Sequence, residues 1–248
     1  MTDVKRQEER LAKAIAASLG ISRRKAEWLV TEGDVTVNGA VVKDLATKVD
    51  PHRDHIKVKG ELQRGRPAPM FIKFHKPEGC LCTTSDPRGR PTVIDMLPRK
   101  YSHLFPVGRL DFNTSGLLFF TNDGDWAQRM THPTQGVRKT YQARISGVPT
   151  ATTVARLLRG VSLNGRRVEV HLVRILKRGD DRCWIELEIH EGRKHVVRDL
   201  LERVGHSVIR LRRMAIGAVG IQDLPPGMSK ALTPRELKSL AAIMPRMD

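Results

Sequence analysis

Leu11, Ile15 and Leu19 recur every four residues, the spacing of one helical face, and Gly20 supplies a stop behind them. Ser22 is placed to cap a second helix whose inward positions are Ala26, Leu29 and Val30. The period then changes from helical to alternating. Val35, Val37 and Val41 flank Asn38-Gly39, a pair that favours a two-residue hairpin turn. The opening unit therefore reads as helix, helix, hairpin. Residues 60–69 carry two glycines and two prolines with no period, which is the composition of a linker.

Beyond the linker, strand-like and helix-like patterns mix. Strands are expected at Met70–Phe74, Gly116–Thr121, Thr140–Ile145, Val168–Ile175, Cys183–Ile189 and Ser207–Leu211. Cys183, Ile185, Leu187 and Ile189 fall on one face and Trp184, Glu186 and Glu188 on the other, so the sheet has one covered face there. Helices are expected at Asp125–Thr131, Ala151–Arg159 and Arg193–Val204. In the last of these, Val197, Leu200, Leu201 and Val204 form the buried stripe. Thr233-Pro234-Arg235-Glu236 is a capping box that opens a short terminal helix. The expected division is 1–67 for the first unit and linker, 68–232 for the main domain and 233–248 for a helical tail.

Charge narrows the partner. The 248 residues hold 44 Lys and Arg against 27 Asp and Glu, a formal net charge of +17. That surplus favours a polyanion, nucleic acid before a membrane surface. No stretch is apolar enough to span a bilayer, and no basic amphipathic helix with a strong apolar face is evident. The polar start of the chain lacks the apolar core of a secretory leader. Three cysteines, Cys80, Cys82 and Cys183, make neither a disulfide framework nor a zinc-ligand spacing, so a reducing cytoplasm is expected. Arg23, Arg24 and Lys25 sit at a helix N-terminus, where cations oppose the dipole. A solvated face or a contact to RNA phosphates would account for them.

Several chemistries lack their motifs. There is no dinucleotide fingerprint, no phosphate-binding loop, no His-Glu-x-x-His and no nucleophile elbow. His52 and His55 lie in a polar turn without further ligands, and no metal site is expected. The most informative stretch is Gly108-Arg109-Leu110-Asp111-Phe112-Asn113-Thr114-Ser115-Gly116-Leu117-Leu118, a polar loop entering an apolar strand. Local physics alone makes Asp111 a loop carboxylate at the mouth of a sheet, and a turn closed on its own backbone is the reading it favours.

That stretch closely resembles the signature of the RsuA-type ribosomal RNA pseudouridine synthases. Lys76-Pro77-x-Gly79, the run Thr83 to Val93, Thr121-Asn122-Asp123-Gly124, Thr131-His132-Pro133, Lys139-Thr140-Tyr141, Glu191-Gly192-Arg193 and Val204-Gly205-His206 resemble the same family in the same order. Ser22 to Glu27 and Gly33-x-Val35-x-Val37-Asn38-Gly39 resemble the S-four-type RNA-binding domain usual at its N-terminus. The resemblance implies an α+β fold: a mixed, largely antiparallel sheet with flanking helices behind a small helix-helix-hairpin domain. It implies a cofactor-free isomerisation of a uridine in ribosomal RNA, and the run Cys80 to Pro87 is most like the large-subunit branch.

By the same resemblance, Asp111, Tyr141 and Arg198 are the catalytic residues. Asp111 acts as nucleophile or as base, Tyr141 stacks on the flipped uracil, and Arg198 pairs with the aspartate. Arg109 fills the space the base leaves. Arg23, Arg24, Lys25, Lys76, Lys139, Arg193 and Lys194 are assigned to RNA contact. One departure stands out: Val196 occupies a position where the family commonly has Gln, and valine cannot make that side chain's hydrogen bonds. A non-catalytic assembly factor bound to ribosomal RNA is the alternative reading, and nothing in the chain demands a second copy.

Overall fold

The structure, a computed structural model, describes residues 8–63, 65–221 and 224–244. Residues 1–7 of the polar start, Arg64 of the expected linker and 245–248 of the expected tail lie outside them. Contacts divide the chain into two units, Met1–Pro69 with Asn122–Gly124, and Met70–Thr121 with Asp125–Asp248.

The first unit runs β1 (Glu9–Arg10), α1 (Leu11–Leu19), α2 (Arg23–Glu32), β2 (Val35–Val37), β3 (Ala40–Val41), β4 (Lys48–Val49), β5 (Ile56–Val58) and β6 (Glu61–Leu62). β3, β2, β5 and β6 form an antiparallel sheet, and β1 pairs with β4. Gly20 ends α1 in the left-handed region, and Ser22 Oγ accepts from the Lys25 N–H as the cap of α2. Asn38 and Gly39 both take positive φ, as the hairpin turn requires. Leu11, Ile15, Ala26, Leu29, Val30, Val35 and Ile56 make the core. Leu19, on the apolar stripe of α1, is 40% exposed, and Val41 of the hairpin is 60% exposed. Each ends its element, and Ala12 and Ala14 take core positions in α1 instead. Part of the expected linker is ordered, since β6 extends the sheet at its edge.

The second unit contains β7 (Phe71–Lys76), β8 (Phe105–Val107), β9 (Thr114–Thr121), α3 (Gly124–Thr131), β10 (Lys139–Ser146), α4 (Ala151–Leu158), β11 (Val161–Leu163), β12 (Arg166–Val168), β13 (Leu172–Arg178), β14 (Arg182–Ile189), α5 (Val196–Arg203), β15 (Val208–Ile216), β16 (Val219–Gly220), β17 (Ser229–Ala231) and α6 (Pro234–Ala242). One sheet of nine strands organises it, in the order β13-β14-β10-β15-β9-β7-β17, with β16 beside β15 and β8 beside β9. Every pairing is antiparallel except β15 with β9. The fold is thus α+β with a mixed, largely antiparallel sheet, as expected.

β9 is buried at every residue. Leu117 and Phe119 pack with Trp126, Val219 and Leu240 on one face, and Leu118 and Phe120 with Ile72, Phe74 and Leu104 on the other. A third cluster joins Ala143, Ile145, Ile185 and Leu187 to Leu200 and Leu201 of α5. The parallel pairing of β9 with β15 depends on a glycine. Gly116 has φ +121°, and a Cβ there would lie 2.3 Å from the Arg213 carbonyl oxygen. The expected strand over 168–175 is split: Val168 ends β12, and β13 begins at Leu172. The capping box at Thr233 and Glu236 forms, with both reciprocal bonds present. No described helix is long and apolar enough to cross a membrane.

Candidate active site

Asp111 lies in the turn between β8 and β9, and much of the surrounding structure holds that turn in place. The Thr114 N–H donates to the Asp111 carbonyl (3.1 Å), the Gly79 N–H to the Phe112 carbonyl (2.9 Å), and the Leu110 N–H to Cys82 Sγ (3.3 Å). Lys76, the last residue of β7, is fully buried. Its ammonium donates to the carbonyls of Thr114 (2.8 Å), Pro77 (2.9 Å) and Phe112 (3.3 Å). Burial pulls its pKa below the usual lysine value, against the pull of acidic groups around it, Cys80 first.

Arg198, in α5, holds the same turn from another direction. Its Nη2 donates to the Asn113 carbonyl (2.9 Å) and reaches Thr114 Oγ1 (3.5 Å), while Nη1 donates to the Val208 carbonyl (3.2 Å). Two cations therefore fix the main chain that carries the carboxylate. Lys76, expected at the RNA, is enclosed, and its donors are taken by carbonyls. Arg198, expected beside the carboxylate, donates to main-chain oxygens around the turn that carries it.

Among the described residues, the side chain that faces the Asp111 carboxylate is His195, whose Nε2 lies 3.5 Å from Oδ1. His195 precedes α5 with φ +58°, a left-handed conformation that non-glycine residues seldom adopt. Local strain of this kind concentrates at sites where the surrounding structure dictates geometry.

Asp111 and His195 open onto a cavity of about 310 Å³. Arg109, Lys139, Tyr141, Arg193, Lys194 and Arg213 also line it. Tyr141 is buried in β10 directly opposite Arg213 in β15, and Lys139 lies two residues before it on the same strand face. Lys139 donates to the carbonyls of His190 (2.9 Å) and Val137 (3.0 Å). Burial, then the neighbouring Arg213, lower its pKa to about 8. Arg213 is 4% exposed. Its Nε donates to the Leu117 carbonyl (2.8 Å), and its Nη2 is buried with no acceptor among the described residues.

The remaining cations divide by exposure. Arg109 and Lys194 are exposed on the cavity rim. Arg193 is tied to Glu191 Oε2 (2.6 Å), with its Nη2 buried and without an acceptor among the described residues. In the first unit Arg23, Arg24 and Lys25 are all exposed; Arg23 pairs with Glu27 (3.3 Å) and Lys25 lies 3.8 Å from the centre of the Trp28 ring. Val196, the first residue of α5, is buried in the core. The sequence reading did not single out His195 or Arg213. A charged residue in an apolar strand gave no sign that the strand continues past Leu211 to Ile216.

Away from the cavity, Glu169, His171 and His190 bring one ligand atom each within 4.8 Å of one another. His171 Nε2 lies 2.9 Å from His190 Nδ1. This is the one cluster of three metal-ligating side chains among the described residues, and it does not include Asp111.

Comparison with known proteins is consistent along the chain. Residues 70–203 match the family model described as RNA pseudouridylate synthase, and residues 9–54 match the S4 domain. "Ribosomal large subunit pseudouridine synthase B" of Bacillus subtilis is 39% identical over 237 residues, covering 95% of this chain and 96% of that protein. The Pseudomonas aeruginosa protein of the same name is 39% identical over 241 residues, covering 94% of this chain and 62% of its own length. A solved structure titled "Crystal structure of pseudouridylate synthase" superposes with a TM-score of 0.66 at 29% identity, covering 93% of this chain and 99% of the other.

Proposed function

The chain belongs to the RNA pseudouridylate synthase family and so isomerises uridine in RNA; we propose that its substrate is large-subunit ribosomal RNA and that Asp111 is its catalytic carboxylate. The observation that carries the site assignment is the position of Asp111: a carboxylate on a turn held by two cations, at a cavity with a buried tyrosine in its wall. Large-subunit specificity rests on the relatives' names and on their match over nearly the whole chain.

The chemistry needs a carboxylate held in place. In this reading the target nucleotide leaves its stack and enters the cavity. Asp111 then acts on the sugar, at C1′ as nucleophile or on a sugar proton as base. Tyr141 packs against the uracil ring, and Arg109 occupies the gap the base leaves in the RNA. Lys76 and Arg198 act through the turn they fix, because a displacement of about 1 Å in a reacting group can cost on the order of 10²-fold in rate. His195, beside the carboxylate, limits its rotation. The S4 domain grips structured RNA through phosphate and shape contacts, with Arg23, Arg24 and Lys25 on its exposed helix face. The cytoplasm, where ribosomal RNA is assembled, is the proposed location.

Mapping pseudouridine in ribosomal RNA from cells lacking this chain tests the proposal. The expected result is loss of modification in large-subunit RNA, restored by the wild-type chain and not by Asp111→Asn. An unchanged map, or loss confined to small-subunit RNA, would overturn the substrate assignment. Restoration by Asp111→Asn would instead favour a binding role without catalysis.

A further inference from the structure

The cavity holds more positive charge than its one carboxylate can balance. Arg109, Lys139, Arg193, Lys194 and Arg213 line it, and Asp111 is the carboxylate among its lining residues. Two of these cations lie close together, Arg213 buried and Lys139 half-buried. Arg213 repels Lys139 strongly enough to contribute to its lowered pKa, and neither is paired with an acid among the described residues. The carbonyls they bond leave capacity free: Lys139 uses two of its three N–H groups, and of Arg213 only Nε has an acceptor among the described residues. Burying two like charges and leaving donors without acceptors is unfavourable in the free protein. Such an arrangement is suited to a ligand that brings electron density to this depth.

We propose that Lys139 and Arg213 form a subsite for the uracil of the target nucleotide, bonding its carbonyl oxygens and stabilising the negative charge the base carries once it is detached from the sugar. This rests on the family activity and on Asp111 as the carboxylate. Breaking the N1–C1′ bond heterolytically leaves the bonding pair on N1, delocalised toward O2 and O4. After the base turns, C5 bonds to C1′, C5 gives up its proton and N1 takes one. Atoms and electrons balance with no co-reactant. Cations fixed where that charge develops lower the barrier without needing to reorganise.

The placement fits this role better than a grip on phosphate. Tyr141 and Arg213 are cross-strand neighbours, and Lys139 shares their face, so the two cations lie beside the tyrosine that packs on the base. Arg213 is 4% exposed, too deep for a solvated phosphodiester, whereas exposed Arg109 and Lys194 stand at the rim.

The test uses the full chain with ribosomal RNA tritiated at uridine C5, following tritium release from pH 6 to pH 10. Lys139 faces Arg213 from β15 and the Val137 and His190 carbonyls. Asp111, Arg109, Arg193, Lys194 and His195 line the same cavity. Wild-type kcat/KM should fall as pH rises through about 8, where the free lysine loses its proton. Lys139→Arg, whose guanidinium stays charged, should lose that alkaline limb while retaining more activity than Lys139→Met. Lys139→Met should lower kcat about 10²-fold with RNA Kd changed less than about twofold.

Circular dichroism and melting temperature would confirm that the lysine variants fold; Arg213 is left intact because it also ties β15 to β9. An alkaline limb that persists in Lys139→Arg, or a wild-type kcat in Lys139→Met, would overturn the subsite. Weakened RNA binding at unchanged kcat would also overturn it, in favour of phosphate contact. Absence of release by the wild-type chain at every pH would overturn the family reading and the subsite with it.

Discussion

The two units use positive charge in opposite ways. In the first, Arg23, Arg24 and Lys25 stand exposed along the start of α2, where water and counterions solvate them. In the second, Lys76, Arg198 and Arg213 turn inward and donate to main-chain carbonyls around the Asp111 turn and the strand that follows it. Exposed cations lower the free energy of a polyanion at the surface and contribute little to the fold. Enclosed cations contribute little to long-range attraction, but they satisfy buried acceptors and fix the chain that holds the carboxylate. A formal charge of +17 thus describes two different devices.

Removing an inward cation should damage chemistry most. Arg198→Met frees the Asn113 and Val208 carbonyls and should lower kcat by about 10²- to 10³-fold through loss of positioning. RNA Kd, measured by filter binding, should remain within about threefold of wild type, since the side chain is not offered to phosphate. A proportional loss of binding would place Arg198 with the surface cations and blur the contrast.

Lys76→Met should act on stability. Three carbonyls lose their donor, and buried acceptors left unpaired cost about 1–3 kcal/mol. Urea unfolding at pH 7 should therefore show a lower midpoint at unchanged slope. A midpoint equal to wild type would mean that water replaces the ammonium.

The smallest effect is expected from the exposed cluster. Replacing Arg23, Arg24 and Lys25 by Ala should weaken RNA binding by roughly tenfold at moderate salt and flatten the salt dependence by about one unit of slope per lost phosphate contact. The melting temperature and the rate at saturating RNA should be unchanged. An unaltered salt slope would show that α2 does not meet phosphate.

Much of the fold is legible in the sequence because period and punctuation agree. Ser22, Gly20 and Asn38-Gly39 mark boundaries that local backbone chemistry enforces. Where the pattern failed, a tertiary partner decided. β15 runs on to Ile216 because Ala215 and Ile216 pair with Thr140 and Lys139 of β10 and with β16, contacts no local pattern contains. The expected helix at Arg193 begins only at Val196, because His195 turns left-handed beside Asp111. For the site, family resemblance placed Asp111 and Tyr141 in residues that line one cavity. It could not show that Lys76 is enclosed or that Arg198 bonds carbonyls, since exposure and partner choice arise only once strands from distant parts of the chain meet.

In the proposed function, Asp111 drives isomerisation while the surrounding cations hold or receive the substrate. Tritium release from C5-labelled large-subunit ribosomal RNA, with wild-type chain beside Asp111→Asn, tests it most directly. Release is expected from wild type and none above background from the variant, with RNA binding by the two within about twofold of each other, because the substitution keeps size and shape. Release by Asp111→Asn at the wild-type rate would contradict it.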